Sequence, residues 1–298
     1  MTQPPEATPV RARAAAGRRR DTSYPPAPPA LPHPVVDSHC HLDIRDGDAW
    51  LGVGDALAAA RAVGVTRLVQ IGCDLPSARW SVEVASATPD VVAGVALHPN
   101  EAPRIDEQEG PAALAAAMDE VATLAAHPRV RAVGETGLDY FRTPPAGRAV
   151  QEEAFRAHIR LAHDLAKPLV IHDRDAHARV LEVLDEEGAP DIVVLHCFSG
   201  DAAFAAVCAA RGYLLSFAGT VTFSNAATLR EAVAVVPRDQ LLVETDAPFL
   251  APVPYRGRPN ASYLIPLTLA AMAAARGETV DELARAVDAT SEAAFGPW

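Results

Sequence analysis

The chain alternates short apolar, β-branched runs with Ala-rich stretches in which apolar positions recur at helical spacing. The runs fall at 35–41, RLVQIG (67–72), VVAGVAL (91–97), VRAVGE (130–135), PLVIH (168–172), IVVLH (192–196), GYLLSFAG (212–219) and LLVETD (241–246). Between them 55–63, 111–126, 148–166, 175–187, 201–210 and a stretch around 224–234 read as helices, and 261–295 reads as two closing helices. The runs are continuously apolar rather than alternating, as in a parallel sheet covered on both faces. Eight such units predict an α/β fold, a TIM (β/α)8 barrel, with a doubly wound open sheet as the alternative.

Composition divides the 298 residues in two. Residues 1–33 hold five Arg against Glu6 and Asp21, and nine of the 26 prolines precede Val35. This stretch reads as a disordered, Arg/Pro-rich tail, and residues 34–298 as the barrel domain. Deleting such a tail is expected to leave turnover nearly unchanged. With a net charge of −12 overall and +3 in the tail, the body carries −15. An acidic body argues against a broad duplex-coating surface, though not against a small cationic pocket or a metal centre that grips one phosphate. No apolar run approaches the ~20 residues of a membrane span. Arg18-Arg19-Arg20 is followed by prolines rather than an apolar stretch, so no signal peptide is expected. Cys40, Cys73, Cys197 and Cys208 show no C-x-x-C spacing, which fits a reduced cytoplasmic protein.

Candidate chemistry gathers at the strand ends. The first strand ends in His39 and His41, two residues apart, so both rings face one side of the strand. The fourth ends in Glu135, the fifth in His172, the sixth in His196 and the eighth in Asp246. A barrel brings all its C-terminal strand ends to one rim, so these six converge. Six protein ligands exceed what one catalytic ion needs, and two ions bridged by a carboxylate fit better. Lys167, the one lysine, precedes the fifth strand and lies roughly 16 Å short of His172, too far to bridge. Glu135 sits where a bridge is required.

The segments VVDSHCHLD, VGETGLDYF, VIHDRDAH, LHCFSG and ETDAPFLAP, in this order, resemble the TatD-related metal-dependent deoxyribonucleases of the amidohydrolase superfamily. The resemblance covers essentially all of 35–298. It implies a TIM barrel, two divalent ions (Mg, Mn or Zn) and hydrolysis of DNA phosphodiesters, as by a 3′–5′ exonuclease on single-stranded ends. It implies that His39, His41, Glu135 and Asp246 hold one ion, and Glu135, His172 and His196 the other. One stretch departs from the family's Arg-Gly-Lys-x-Asn-Glu-Pro-like continuation: after Arg256-Gly257-Arg258-Pro259-Asn260 come Ala261 and Ser262. No ligand is lost by that change, but substrate contacts or loop geometry could differ.

Such a centre suits phosphodiester hydrolysis, with Asp246 as general base and Glu135 as the shared catalytic carboxylate. Arg174, in phase with His172, either binds phosphate or neutralises Glu244. His98 either contacts a phosphate oxygen or is a loop histidine. Arg256 and Arg258 either clamp substrate at the mouth or are solvated. Strand alternation assigns Cys197 to packing. DNA is the expected partner, with no membrane and no protein partner; another ester, lactone or amide on the same centre is the alternative.

Overall fold

In the computed structural model, which describes residues 8–13 and 20–298, every predicted run contains a strand. These are β1 (Val35–Cys40), β2 (Val65–Gly72), β3 (Val91–Val95), β4 (Val130–Asp139), β5 (Leu169–Arg174), β6 (Val193–Leu195), β7 (Leu214–Phe217) and β8 (Leu241–Val243). Each pairs in parallel with the next along the chain. The ring meets at a seam between β8 and β1. There Cys40 and Ala247 form a parallel bridge, and the Asp246 N–H donates to the His39 carbonyl at 2.9 Å. This is a nearly closed TIM barrel, and the open-sheet alternative falls.

The helices are α1 (Val53–Ala62), α2 (Leu75–Ala87), α3 (Glu101–Glu109), α4 (Pro111–Ala125), α5 (Arg148–Leu165), α6 (His177–Glu187), α7 (Ala202–Ala210), α8 (Ala227–Val235), α9 (Ile265–Arg276) and α10 (Val280–Phe295). Two apolar layers result. Val36, Val69, Val92, Val170, Val194 and Leu242 fill the inside of the ring, and Phe295 of α10 plugs its floor. A second layer, including Leu68, Val133, Ile159 and Val180, lies between sheet and helices. The interior is therefore a packed core that leaves only the C-terminal rim for polar chemistry.

The segment expected to be a disordered tail behaves otherwise where it is described. Residues 20–33 lie along the barrel: the Tyr263 hydroxyl donates to the Pro25 carbonyl at 2.5 Å, and the Leu31 N–H to the Val63 carbonyl at 2.9 Å. Arg11–Ala12 forms a short parallel strand beside Ile44–Arg45. The physical reason is that Asp43 and Asp46 are fully buried carboxylates, and Arg11, Arg13 and Arg20 are the cations that pair with them. Residues 1–7 and 14–19, also within the expected tail, lie outside the described residues. Among the described residues no helix is long and apolar enough to cross a membrane.

Candidate metal centre

Local backbone irregularity aims the donors. In β1, Val36 packs inside the ring while Cys40 packs in the outer layer, so simple alternation fails between them. The pairing register slips between Asp37 and Cys40, as at a β-bulge, and both His39 and His41 turn inward. In β4 the glycines flanking Glu135 allow close approach to β5. A β-carbon at Gly137 (φ 125°) would stand 2.2 Å from the His172 carbonyl oxygen, and one at Gly134 2.5 Å from Val170. Past β8 the backbone of Asp246 is left-handed (φ 53°), a conformation that Asp tolerates. This turns its carboxylate to within 3.3 Å of His41 Nε2.

Glu135 is the hub. Its carboxylate lies 2.7 Å from His196 Nε2, 3.6 Å from His172 Nδ1, and 3.8 Å from the Nε2 of both His39 and His41. All six predicted strand-end residues are thus brought together. Donor atoms of His39, His41 and Glu135 lie within 4.8 Å of one another, as do those of His39, His196 and Asp246, and those of His98, Glu135 and His172.

The outward nitrogens of two rings have hydrogen-bond partners, and that of a third faces a carboxylate without bonding to it. His41 Nδ1 lies 3.0 Å from the Ile71 carbonyl, His196 Nδ1 3.3 Å from Glu244, and His172 Nε2 3.4 Å from Asp139. A carbonyl or carboxylate behind the ring, with the other nitrogen turned towards Glu135, is the arrangement of a metal-ligating histidine. His39 goes further: it is completely buried, and among the described residues neither of its ring nitrogens has a hydrogen-bond partner. A buried imidazole without partners is costly unless something outside the protein chain completes it. The residues present therefore fit a divalent ion.

The electrostatics divide the rings: against burial, Glu135 and Glu244 push His196 well above the ordinary histidine value, and Asp139 and Glu135 raise His172. Burial alone would raise the Glu135 carboxyl, but His196, His172 and His98 hold it well below the usual carboxylate range. Burial, reinforced by His196, keeps His39 well below the ordinary histidine value and so neutral. Burial lowers His98 to about 3.

The centre opens into a cavity of about 570 Å3, within the size range of small-molecule sites. Arg174 and His98 line it. Arg174 does not neutralise Glu244, whose Oε1 instead accepts from the Cys197 N–H at 2.8 Å and faces His196; the guanidinium lies over the Phe141 ring, 3.9 Å from its centroid. Arg256 and Arg258 are not among the residues lining this cavity. Arg256 stacks on Phe223, and Arg258 donates to the Ser23 and Tyr24 carbonyls at 3.1 and 2.8 Å. Arg258 holds the N-terminal segment rather than the mouth of the site.

Lys167 stays remote, donating to the His127 carbonyl at 3.1 Å and to that of Ala125. Cys197 lines the cavity because its left-handed backbone (φ 44°) breaks strand alternation. Burial pushes its thiol well above the ordinary value, so the thiol remains protonated. Sequence reasoning missed Asp139, Cys73, Arg142 and Arg11, all of which line the cavity. Asp139 lies at i+4 from Glu135 on the same strand, a spacing that could have found it. The Cys73 thiol donates to Glu135 at 3.0 Å.

A parallel barrel that carries buried histidines around a carboxylate hub at its C-terminal rim is built to hold a metal ion there. The family model described as TatD related DNase matches residues 36–296. A Mycobacterium tuberculosis protein named uncharacterized metal-dependent hydrolase TatD is 46% identical over 269 residues, 88% of this chain and 98% of that protein. The Citrobacter rodentium protein named 3′-5′ ssDNA/RNA exonuclease TatD is 35% identical, covering 81% of this chain and 91% of that one. The crystal structure of YJJV, a TatD homolog from Escherichia coli, superposes with a TM-score of 0.78 at 26% identity, covering 88% and 98%. The chain belongs to the TatD-related family of metal-dependent hydrolases.

Proposed function

We propose that this hydrolase cleaves phosphodiester bonds of DNA, as a 3′–5′ exonuclease on single-stranded ends, with two divalent ions at the rim. The observation that carries the reading is the aim of three rings: His41, His172 and His196 each turn a nitrogen towards Glu135, at 3.8, 3.6 and 2.7 Å. One carboxylate shared by that many ligands suits a bridge between two ions. His39, His41, Glu135 and Asp246 would hold one ion, and Glu135, His172 and His196 the other. Ions bound there would supply Lewis acidity, acidifying a water and screening charge on the phosphate oxygens.

The side chains then divide the remaining tasks. Asp246, beside His41 and partly open to the cavity, takes the proton of the attacking water on a carboxylate oxygen. His98 accepts the Asn100 N–H on Nδ1 at 3.0 Å, which leaves a proton on Nε2. Its role is thus to donate to a phosphate oxygen rather than to ligate. Arg174 adds a fixed positive charge on the same wall. Nucleic acid as substrate is further supported by the relative named as a single-strand exonuclease.

The test compares 3′- and 5′-labelled single strands of DNA and RNA, with protein stripped by EDTA and then resupplied with Mg, Mn or Zn. Cleavage stepwise from the 3′ end, lost on chelation and restored by a divalent ion, is expected. Full activity in protein shown by elemental analysis to be ion-free overturns the metal reading. Hydrolysis of a lactone or simple ester with no cleavage of any strand overturns the nuclease reading.

A further inference from the structure

Residues 8–13 precede the family match, which begins at residue 36, yet they reach the cavity. They are stitched to the rim at several points. The Arg11 N–H donates to the Asp43 carbonyl at 3.1 Å and the Arg13 N–H to the Arg45 carbonyl at 2.8 Å. Trp80 Nε1 donates to the Thr8 carbonyl at 3.1 Å. The Arg13 guanidinium lies 5.1 Å from the centroid of the Phe249 ring, which itself lines the cavity.

This anchoring fixes Arg11 beside the candidate metal centre. Its Nε and Nη2 form a two-pronged contact with the Asp43 carboxylate, at 2.5 and 3.0 Å, and Nη2 stands 3.2 Å from His41 Nδ1. Asp43 is completely buried and also accepts from Gln70 Nε2 at 2.9 Å. The guanidinium is thus oriented by one edge only. Among the described residues Nη1 meets no carboxylate, its surroundings including the Cys73 thiol, and the side chain keeps 20% exposure, at the cavity wall. An arginine held rigidly by two of its nitrogens and open at the third is organised in advance to grip an anion.

We infer that the N-terminal segment is part of the substrate site, and that Arg11 binds a phosphate of the substrate strand adjacent to the scissile one. The inference rests on the nuclease reading above. The choice of phosphate follows from position. Arg11 stands at the Nδ1 edge of His41, whereas Nε2 faces Glu135 and Asp246, so the guanidinium is behind the ligand ring rather than over the reacting centre. Arg174 ends β5, Arg142 follows β4, and both line the cavity together with Arg11, so an entering strand would meet several cations. No cation before residue 36 belongs to the family region, so this contact would distinguish the chain from relatives lacking the segment.

The test uses the full-length, metal-loaded protein and its Arg11→Ala, Arg11→Lys and Arg11→Ala/Asp43→Asn variants. The double variant removes the buried acid together with its cation, so that no uncompensated charge is left to unfold the rim. Steady-state kinetics are measured on a labelled single strand and on bis-p-nitrophenyl phosphate, which has one phosphate. Arg11→Ala and the double variant should raise KM for the strand by about tenfold, the usual worth of one charge-assisted hydrogen bond. The rise should be several-fold larger than for the small ester, with kcat on the strand changing less than KM. The slope of log KM against log salt should weaken by about 0.7, one phosphate contact. Arg11→Lys should recover part of the loss. Equal losses on both substrates, or a loss in kcat with ion content reduced, would show that Arg11 only supports His41 and would overturn the inference. So would unchanged KM in the double variant. Failure of the unsubstituted protein to cleave any strand is a separate result that removes the nuclease reading and this one with it.

Discussion

Two regions of the molecule are equally rich in ionisable groups and do opposite things with them. On the outer face of α5 and α6, Arg156, Arg160 and Arg179 interleave with Glu152, Glu153, Glu182, Glu186 and Glu187. Arg156 reaches Glu152 and Glu187 at 2.9 Å each, and Arg179 reaches Glu152 at 2.6 Å and Glu182 at 2.9 Å. Each guanidinium has a carboxylate and the network is half in solvent. At the rim, by contrast, the groups are buried, imidazoles crowd a single carboxylate hub, and His39 has no hydrogen-bond partner among the described residues. Density of charge therefore does not mark the site. What marks it is buried polar capacity that the chain itself leaves unused.

The sharpest way to break this contrast is at the rim. Asp246→Asn keeps size and one oxygen but cannot take a proton, so single-turnover hydrolysis should fall by about 10²–10⁴-fold with ion content near normal. Recovery of the rate at high metal concentration would instead make Asp246 a ligand only. Next comes the support behind the ligands. Glu244→Gln keeps an acceptor for the Cys197 N–H but withdraws charge from His196, and should weaken metal affinity about 10–100-fold by titration. Unchanged affinity would remove His196 from the ligand set. The smallest effect belongs to the outer network. Arg179→Ala should shift stability by less than about 1 kcal/mol in denaturant unfolding, because exposed pairs are screened, and should leave hydrolysis intact. A loss of activity there would show that the two regions are coupled through α6.

Much of this was legible before any coordinates. The strand ends at His39, His41, Glu135, His172, His196 and Asp246 could be read because each terminates an apolar run, and a parallel barrel sends every such end to one rim. Asp139 was within reach by the same logic. Arg11 was not. Its partner Asp43 is 32 residues away, its strand is two residues long, and its surroundings read as solvated chain. Arg258 was misplaced for a related reason. Its position after β8 suggests the mouth, but the chain at Ser23–Tyr24 takes up its donors. Pairings that depend on where a Pro-rich segment settles leave no periodic trace in sequence.

The solitary lysine has a practical corollary. Lys167 sits at the entry to β5, the end of the strand opposite the rim, and partial burial lowers its pKa. Apart from the chain terminus, amine-directed reagents have this one target. A fluorophore or a solid support coupled there would be attached through the bottom of the barrel. The molecules would then share one orientation, with their openings turned towards the solution and any strand passing over them.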